Sequence, residues 1–302
     1  MRNPDPIRAR RSVHFVPGPS EKMLTKSLES EADTLVIDLE DAVAPDDKAA
    51  ARVVISDWLA SVDFGRKEVA IRINALDTPW GLDDLDATMT TLPPHLYMIP
   101  KAERLTDLQL LDTLIANHEM RQLIKSARVG LLLIGSETPL SVGNLQILAS
   151  EPRVQALTWG AEDLATAIGA TENRNSSGQY LGLFASCGYR TLLAARSNGI
   201  QPIDSVFVQL DDESALREES ENSRKIGFTG KLTIHPSQIP VVNDAFTPNR
   251  DEIKKAHRLI EAFDEARQEG RNAFRFEGQM VDAPHLSQAR DLLNRVEQIG
   301  ET

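Results

Sequence analysis

Eight short β-rich runs recur along the 302-residue chain, and segments of helical length separate most of them. Strands that alternate with amphipathic helices pair in parallel, and eight of them predict closure into a barrel rather than an open sheet. The sequence therefore predicts an α/β protein, a TIM (β/α)8 barrel. The predicted strands are Ser12–Val16, Thr34–Leu39, Val69–Asn74, Tyr97–Pro100, Val129–Ile134, Val154–Trp159, Ser205–Gln209 and Leu232–His235. The predicted helices are Ala49–Ala60, Asp107–Ile115, Leu145–Ser150, Tyr189–Asn198 and Ser214–Ile226.

The pattern changes after Asn243. A charged helix is predicted from about Arg250 to Glu269, a turn-prone stretch follows it, and a last helix runs from about Ser287 to Ile299. We place the boundary near Pro248, with a catalytic barrel over residues 1–245 and a C-terminal helical extension over residues 246–302. An extension this short cannot form an independent core, so we expect it to pack on the barrel or on a neighbouring subunit.

Charge and composition exclude several classes of function. The formal net charge of −12 argues against nucleic-acid binding, which needs a basic face, but a local field still permits an anionic small-molecule ligand. The one cysteine, Cys187, cannot form an intramolecular disulfide, and we interpret it as an inert helix residue in a reducing compartment. Apolar runs are too short to span a bilayer, and no signal-peptide pattern follows the N-terminal arginines. We expect a cytoplasmic protein without membrane contact.

Polar side chains follow most of the predicted strands. Because all strand C-termini of a parallel barrel open on one face, these groups are predicted to converge there although they are distant in sequence. They are Asp38, Glu40, Asp41, Arg72, Asn74, Lys101, Glu137, Glu162, Asp163 and His235.

Glu137 and Asp163 are the first candidates for a metal site. Each follows an apolar run with a glycine shortly before it, and strands five and six are neighbours in the predicted barrel. Two carboxylates that leave coordination positions vacant suit Mg²⁺, which completes its octahedron with waters and substrate oxygens. The alternative interpretation is that both are N-caps or first-turn acids of the helices that follow, where the helix dipole favours them.

Arg72 is the only charged residue of the apolar run Val69–Asn74, and strand alternation places it on the face opposite to its isoleucine neighbours. A buried guanidinium needs a partner, and Glu40 or Asp41 at the end of the adjacent strand can serve. Arg72 is then either a clamp for a carboxylate or oxyanion, for which its planar fork is suited, or half of a structural ion pair.

His235 and Asp282 are weaker candidates from the residues alone. A histidine before a proline at a strand end is more often structural than catalytic, although His235 is the most suggestive of the six histidines. Asp282 lies outside the barrel pattern, where spacing favours the N-cap of the final helix. The chain contains neither a nucleophile elbow nor a Walker loop nor a dinucleotide-binding glycine motif.

Taken in order, the motifs of the chain resemble the acyl-CoA lyase branch of the citrate lyase beta-subunit-like (HpcH/HpaI aldolase/citrate lyase) family. The resemblance spans nearly the whole chain in collinear order, and Asp41 favours the CoA branch because the CoA-independent aldolases carry a histidine there. The matching segments are Arg11–Gly18, Asp38–Val43, Ile71–Asn74, Ile99–Glu103, Ser136–Thr138, Gly160–Leu164, Gly227–Gln238 and Met280–Pro284.

The resemblance implies a site and a chemistry. It implies that Glu137 and Asp163 hold Mg²⁺ and that Arg72 and Glu137 contact the oxo or hydroxy acid. Glu40 and Asp41 would support these residues without contacting the substrate. Asp282 becomes the catalytic acid/base, delivered by the extension of a neighbouring subunit in a homotrimer or a dimer of trimers. The implied reaction is the reversible Claisen cleavage of a 3-hydroxy-3-carboxyacyl-CoA, such as malyl-, citramalyl- or citryl-CoA, to a 2-oxo acid and an acyl-CoA.

Two rival functions and one departure accompany this resemblance. The first rival is an acyl-CoA thioesterase or malate synthase that uses the same site. The second is a citrate lyase beta subunit, which needs an acyl-carrier partner. Ser186 stands where relatives usually have an arginine, which indicates altered specificity or a divergent subgroup. Candidate cations for the CoA phosphates are Arg8, Arg10, Lys22 and Lys26.

Overall fold

The computed structural model describes residues 8–90, 92–122 and 129–300. Eight parallel strands form a closed barrel in which each pairs with the next in sequence, and β1 pairs with β8 through Val13 and Leu232. The predicted fold class is confirmed. The strands are β1 Ser12–Val16, β2 Thr34–Asp38, β3 Glu68–Arg72, β4 Leu96–Ile99, β5 Gly130–Gly135, β6 Val154–Trp159, β7 Gln201–Asp204 and β8 Gly230–Thr233.

The predicted position of strand seven was wrong. The β-rich run Ser205–Gln209 forms a loop, and β7 is the preceding segment, Gln201–Asp204. This segment includes Pro202, which has no N–H to donate and is rare within sheets. In the barrel only its carbonyl is needed, and this accepts from the backbone N of Thr229 at 2.9 Å. Strand seven therefore ends at Asp204, whose buried carboxylate pairs with Lys231 at 2.7 Å.

Helices surround the barrel. The five predicted barrel helices are present and all begin earlier than predicted, and additional helices, including the one directly after β1, were not predicted. The helices of the barrel are α1 Glu21–Glu29, α2 Lys48–Ser61, α3 Gly81–Thr88, α4 Leu105–Arg121, α5 Pro139–Leu148, α6 Ala161–Ile168, α7 Gly182–Ser197, α8 Glu213–Ile226 and α9 Gln238–Phe246. Within the described ranges, none of the helices is long and apolar enough to cross a membrane.

Alternation along the strands divides the apolar side chains into two layers. One set fills the inside of the barrel as a packed core, and the other packs between the strands and the helices. The inner cluster contains Val13, Val36, Ala70, Leu96, Met98, Leu132, Ile134, Ala156, Ile203 and Leu232. The filled interior leaves the loops at the strand ends as the place for a binding site.

Arg10 lies at the N-terminal end of the barrel, so its assignment as a candidate for the CoA phosphates was wrong. Its guanidinium is buried and bonds through Nε and Nη2 to Glu68, at the start of β3, at 2.7 and 2.8 Å. It also donates to Gln155 and Gln201. These partners all stand at strand beginnings, opposite to the strand C-termini. A buried guanidinium bound to three side chains has a structural role.

A second compact unit begins at Asp244, in the last turn of α9, and also includes Arg8 and Ala9 before β1. It contains α10 Arg250–Gln268, a hairpin of β9 Phe274–Phe276 and β10 Gln279–Val281, and α11 Ala283–Ile299. Its own apolar cluster includes Phe263, Val281 and Leu286. The prediction of a purely helical extension omitted the hairpin. Its turn, Glu277-Gly278, has positive φ at both residues, 45° and 88°, as expected for a tight two-residue hairpin turn.

Acid is expected to destabilise the barrel through His14. The ring is 2% exposed, its Nδ1 lies 3.1 Å from Thr233 Oγ1, and burial lowers its pKa from 6.5 to about 4. Since the unfolded chain binds the proton first, stability is complete above pH 6.5 and falls as the pH drops towards 4. We expect about 2 kcal/mol of this loss between pH 7 and pH 5, measured by urea unfolding. His14→Gln removes the titrating group, so an equal pH dependence in this variant would contradict the assignment.

Candidate active site at the carboxyl ends of the strands

Glu137 follows β5, and backbone after β4 and after β6 restricts the position of its side chain. Ser136, just before it, has a φ of 55°, a left-handed conformation that non-glycine residues rarely adopt. The Glu137 side chain is 2% exposed, and its Oε2 accepts from the backbone N of Lys101 at 2.5 Å. Gly160, after β6, closes the other side, because a Cβ added there would meet Glu137 Cγ at 2.8 Å. The carboxylate is therefore held between the ends of β4, β5 and β6.

The electrostatic setting of Glu137 disfavours a bare negative charge. Burial raises the pKa of Glu137 from 4.5 to about 8, the hydrogen bond from Lys101 lowers it, and the charges of Asp163 and Glu40 raise it further. Asp163 is thus close enough for its charge to act on Glu137. A carboxyl group in this setting is stabilised as an anion by a cation placed between it and Asp163.

Asp163 stands in the first turn of α6, which begins directly after β6. Its side chain is 40% exposed, and its Oδ1 lies 3.6 Å from Lys101 Nζ. Neither acid is a helix N-cap, since Thr138 caps α5 and Gly160 stands at the N-cap of α6. Asp163 does lie in the first turn of a helix, as the alternative interpretation expects, but that interpretation does not explain why Glu137 is buried.

Arg72 is the last residue of β3 and lies 9% exposed, with its guanidinium over the ring of Phe15. The expected partners Glu40 and Asp41 both contact Nη1, at 2.9 and 3.3 Å. The main partner is Asp38, which we had not assigned to it. Asp38 binds Nε and Nη2 at 2.7 and 2.6 Å in a bidentate pair.

Glu40 links the arginine to the lysine. Its Oε1 accepts from Lys101 Nζ at 2.7 Å, whereas Oε2 lies within ion-pair distance of Arg72 but outside hydrogen-bond geometry, and it is buried without a hydrogen-bond partner. Burial is the largest cause of a raised pKa at Glu40, and the charges of Arg72 and Lys101 oppose it. Lys101 was predicted at a strand end without a role, and its position directly after Pro100 was the available signal.

The group fits a divalent cation. Four carboxylates, those of Asp38, Glu40, Asp41 and Asp163, form ion pairs with Arg72 or Lys101, and Glu137 accepts from the backbone N of Lys101. Across residues 8–90, 92–122 and 129–300, no three His, Cys, Asp or Glu side chains are arranged to hold one ion. An ion here would use two carboxylates and otherwise waters or substrate oxygens, which is how Mg²⁺ is commonly bound.

The remaining candidates have other hydrogen-bond partners. His235 is exposed, and its Nδ1 pairs with Ser237 Oγ at 2.8 Å, which favours the structural interpretation. Asn74 is buried and donates to Leu39 O and Asp84. Asp282 belongs to the second unit, where it is the N-cap of α11 and its Oδ1 lies 2.7 Å from His285 Nδ1.

The candidate cations for CoA and the departure at Ser186 are on the surface. Ser186 is exposed on α7, and Lys22 and Lys26 are exposed on α1, the helix that follows β1. Arg8 is exposed as well. Cys187 is buried beside Ser186, and burial raises the pKa of its thiol, as expected for an inert cysteine.

A closed parallel barrel with paired acids and a clamped arginine at the strand ends defines a class of barrel enzymes that bind a small acid through a divalent ion. Comparison with known proteins agrees with this class. The sequence model of the HpcH/HpaI aldolase/citrate lyase family matches residues 11–236, and the chain belongs to this family.

Individual relatives cover almost the whole chain. A (3S)-malyl-CoA thioesterase of Cereibacter sphaeroides is 35% identical over 96% of this chain and 95% of its own. A mitochondrial citramalyl-CoA lyase of Rattus norvegicus is 33% identical over 97% of this chain and 87% of its own. The crystal structure of CitE from Mycobacterium tuberculosis in complex with magnesium, acetoacetate and coenzyme A is similar with a TM-score of 0.78 and 30% identity. The match covers 96% of this chain and 98% of the CitE chain.

Gly160→Ala is expected to weaken metal binding without unfolding the barrel. The added methyl would lie 2.8 Å from Glu137 Cγ and 3.1 Å from its Oε1, so the carboxylate must shift. Changing a residue that positions a metal ligand typically lowers metal affinity about tenfold or more. We expect the Kd for Mn²⁺, measured by calorimetry, to rise about tenfold. Gly143→Ala on α5 is the control, because a Cβ there meets nothing within 4 Å. Equal affinities in the two variants would contradict the placement of Glu137.

Proposed function

We propose that the chain is a Mg²⁺-dependent carbon–carbon lyase that cleaves a 3-hydroxy-3-carboxyacyl-CoA to a 2-oxo acid and an acyl-CoA, reversibly. The observation that carries the proposal is the convergence of Glu137 and Asp163, each in contact with Lys101, beside the buried Arg72. Family membership and the relatives named for malyl-CoA and citramalyl-CoA support the substrate class.

The residues divide the chemistry between them. Bound at Glu137 and Asp163, Mg²⁺ supplies Lewis-acid polarisation of the oxo acid. Arg72 stabilises the carbinol oxygen as an alkoxide, the form from which the bond between the carbinol carbon and the acyl α-carbon breaks. The bidentate pair with Asp38, with Glu40 and Asp41 on the remaining nitrogen, holds the guanidinium in one orientation. This orientation places the positive charge before the reaction starts.

Asp282 is proposed as the acid/base. In cleavage, the hydroxyl proton passes to solvent as the carbinol C–O becomes the carbonyl of the 2-oxo acid, the electron pair of the broken C–C bond passes to the acyl α-carbon, and the protonated Asp282 donates a proton to that carbon. In condensation it removes the same proton. We propose that the second unit of a neighbouring subunit delivers it in a homotrimer or a dimer of trimers. Support comes from the match of Met280–Pro284 to the family pattern and from the exposure of Met280, at 73%.

Other parts of the proposal concern CoA and location. Lys22 and Lys26 on the exposed face of α1 are the remaining cations that we propose for the phosphates of CoA, with Arg8. We propose a cytoplasmic location, which the single cysteine supports as a sign of a reducing compartment.

Thioester hydrolysis at the same site is the second candidate function. The specific observation in its favour is the 35% identical relative named as a (3S)-malyl-CoA thioesterase. Water would attack the thioester carbonyl, and CoA would leave without cleavage of a carbon–carbon bond. A citrate lyase beta subunit that needs an acyl-carrier partner is the remaining alternative, supported by the similarity to CitE.

A cleavage screen separates these functions. Purified protein is incubated with Mg²⁺ and malyl-, citramalyl-, methylmalyl- or citryl-CoA, and both the 2-oxo acid and the free thiol are measured. We expect oxo acid and acyl-CoA in equal amounts and no free thiol. Free CoA without oxo acid identifies a thioesterase. Activity only on acyl-carrier thioesters identifies the subunit alternative.

A further inference from the structure

Lys101 is central to the acidic group, yet none of the steps proposed above uses it. Its backbone N holds Glu137 at 2.5 Å, its Nζ donates to Glu40 at 2.7 Å, and the same Nζ lies 3.6 Å from Asp163. The residue has a φ of 48°, an unusual conformation for a side chain other than glycine. Such conformations persist where surrounding contacts hold them, and often at functional sites.

The two ion pairs of the ammonium group differ in strength. The pair with Glu40 is a hydrogen bond to a carboxylate that is 10% exposed, whereas the pair with Asp163 is longer and Asp163 is 40% exposed. Asp163 is therefore the weaker partner and the one that solvent reaches. A divalent ion that arrives from solvent meets Asp163 first and must compete there with the ammonium.

We propose that Lys101 is a displaceable counter-ion: it pairs with Asp163 in the metal-free site, yields that carboxylate to the divalent ion and stays anchored on Glu40. An ammonium has three donors on a flexible stem, so the bond to Glu40 leaves two for an anionic ligand. In this arrangement Lys101 adds a positive charge for the carboxylate of the 2-oxo acid. This second half of the inference rests on the proposed function, whereas the competition for Asp163 does not.

Binding of Mn²⁺ to the metal-free protein, followed by electron paramagnetic resonance, tests the competition directly. Lys101→Met removes the ammonium, and we expect its Kd for Mn²⁺ to fall about fivefold, the scale of a partly exposed ion pair. Lys101→Arg keeps the charge, and we expect a Kd within about twofold of the parent. Both replacements have a Cβ, so the cost of the left-handed backbone is the same in each. Lys225→Met, on the exposed face of α8, controls for the change of net charge.

The second measurement uses pyruvate as a 2-oxo acid probe at saturating Mg²⁺. Lys101→Met is expected to weaken pyruvate binding about fivefold while metal binding is tighter, so the two affinities move in opposite directions. An unchanged or raised Mn²⁺ Kd in Lys101→Met overturns the inference, and Lys101→Gln repeats the measurement if that variant does not fold. Tighter Mn²⁺ binding with unchanged pyruvate binding overturns only the substrate half. Absence of turnover on every CoA thioester would refute the proposed function and leave the Mn²⁺ result standing.

Discussion

Glu137→Gln is expected to lower the affinity for Mg²⁺ by about 100-fold and the rate of C–C cleavage by about 10³-fold, because an amide cannot supply the anionic ligand. The replacement has the same shape, and its carbonyl can still accept from the backbone N of Lys101. Burial raises the pKa of Glu137 to about 8, so a charge there opposes folding of the metal-free chain. We therefore expect the metal-free variant to be at least as stable as the parent in urea unfolding.

Glu162→Gln is the matched control for this experiment. Glu162 is exposed in the first turn of α6, which also contains Asp163. The substitution Glu162→Gln changes the net charge by the same amount as Glu137→Gln. Its Kd for Mg²⁺, measured by calorimetry, is expected to stay within about twofold of the parent. If Glu137→Gln bound the ion as well as this control does, the metal site would have to lie elsewhere.

Asp282→Asn is expected to reduce kcat by about 10³-fold, because the variant loses general acid/base catalysis. The Kd for Mg²⁺ is expected to stay unchanged, because Asp282 is not a metal ligand. Stability should be preserved, since asparagine caps a helix as well as aspartate does and Asp282 is the N-cap of α11. Single-turnover kinetics and metal titration of the same preparation measure the two quantities.

Asp291→Asn, exposed on the same helix, controls for the charge of α11 and is expected to turn over normally. Mixing experiments give a further check of delivery between subunits. Hetero-oligomers of Asp282→Asn with Glu137→Gln should regain part of the activity, since some sites then combine an intact acid with an intact metal ligand. Normal turnover of Asp282→Asn alone would remove the residue from the mechanism.

The barrel and the convergence of its polar strand ends were predictable from sequence because both depend on local periodicity. A run such as Thr34–Leu39 is recognised from its own residues, and parallel closure then places its carboxyl end beside that of the next strand. The position of strand seven was wrong because the β-rich run Ser205–Gln209 is not the strand. The strand is the preceding segment, where Pro202 is accommodated because a barrel strand can dispense with one N–H where only the carbonyl is used.

By itself, the sequence determined the fold class and the end of the barrel at which the acids and Arg72 gather, since strand order and side-chain alternation are carried by neighbours along the chain. Only the tertiary structure decided which groups pair. It assigned Asp38 to Arg72, joined Lys101 to three carboxylates, and placed Arg10 at the opposite end beside Glu68. The physical reason is that an ion pair depends on distances between side chains from separate strands, and these distances exist only once the barrel has closed.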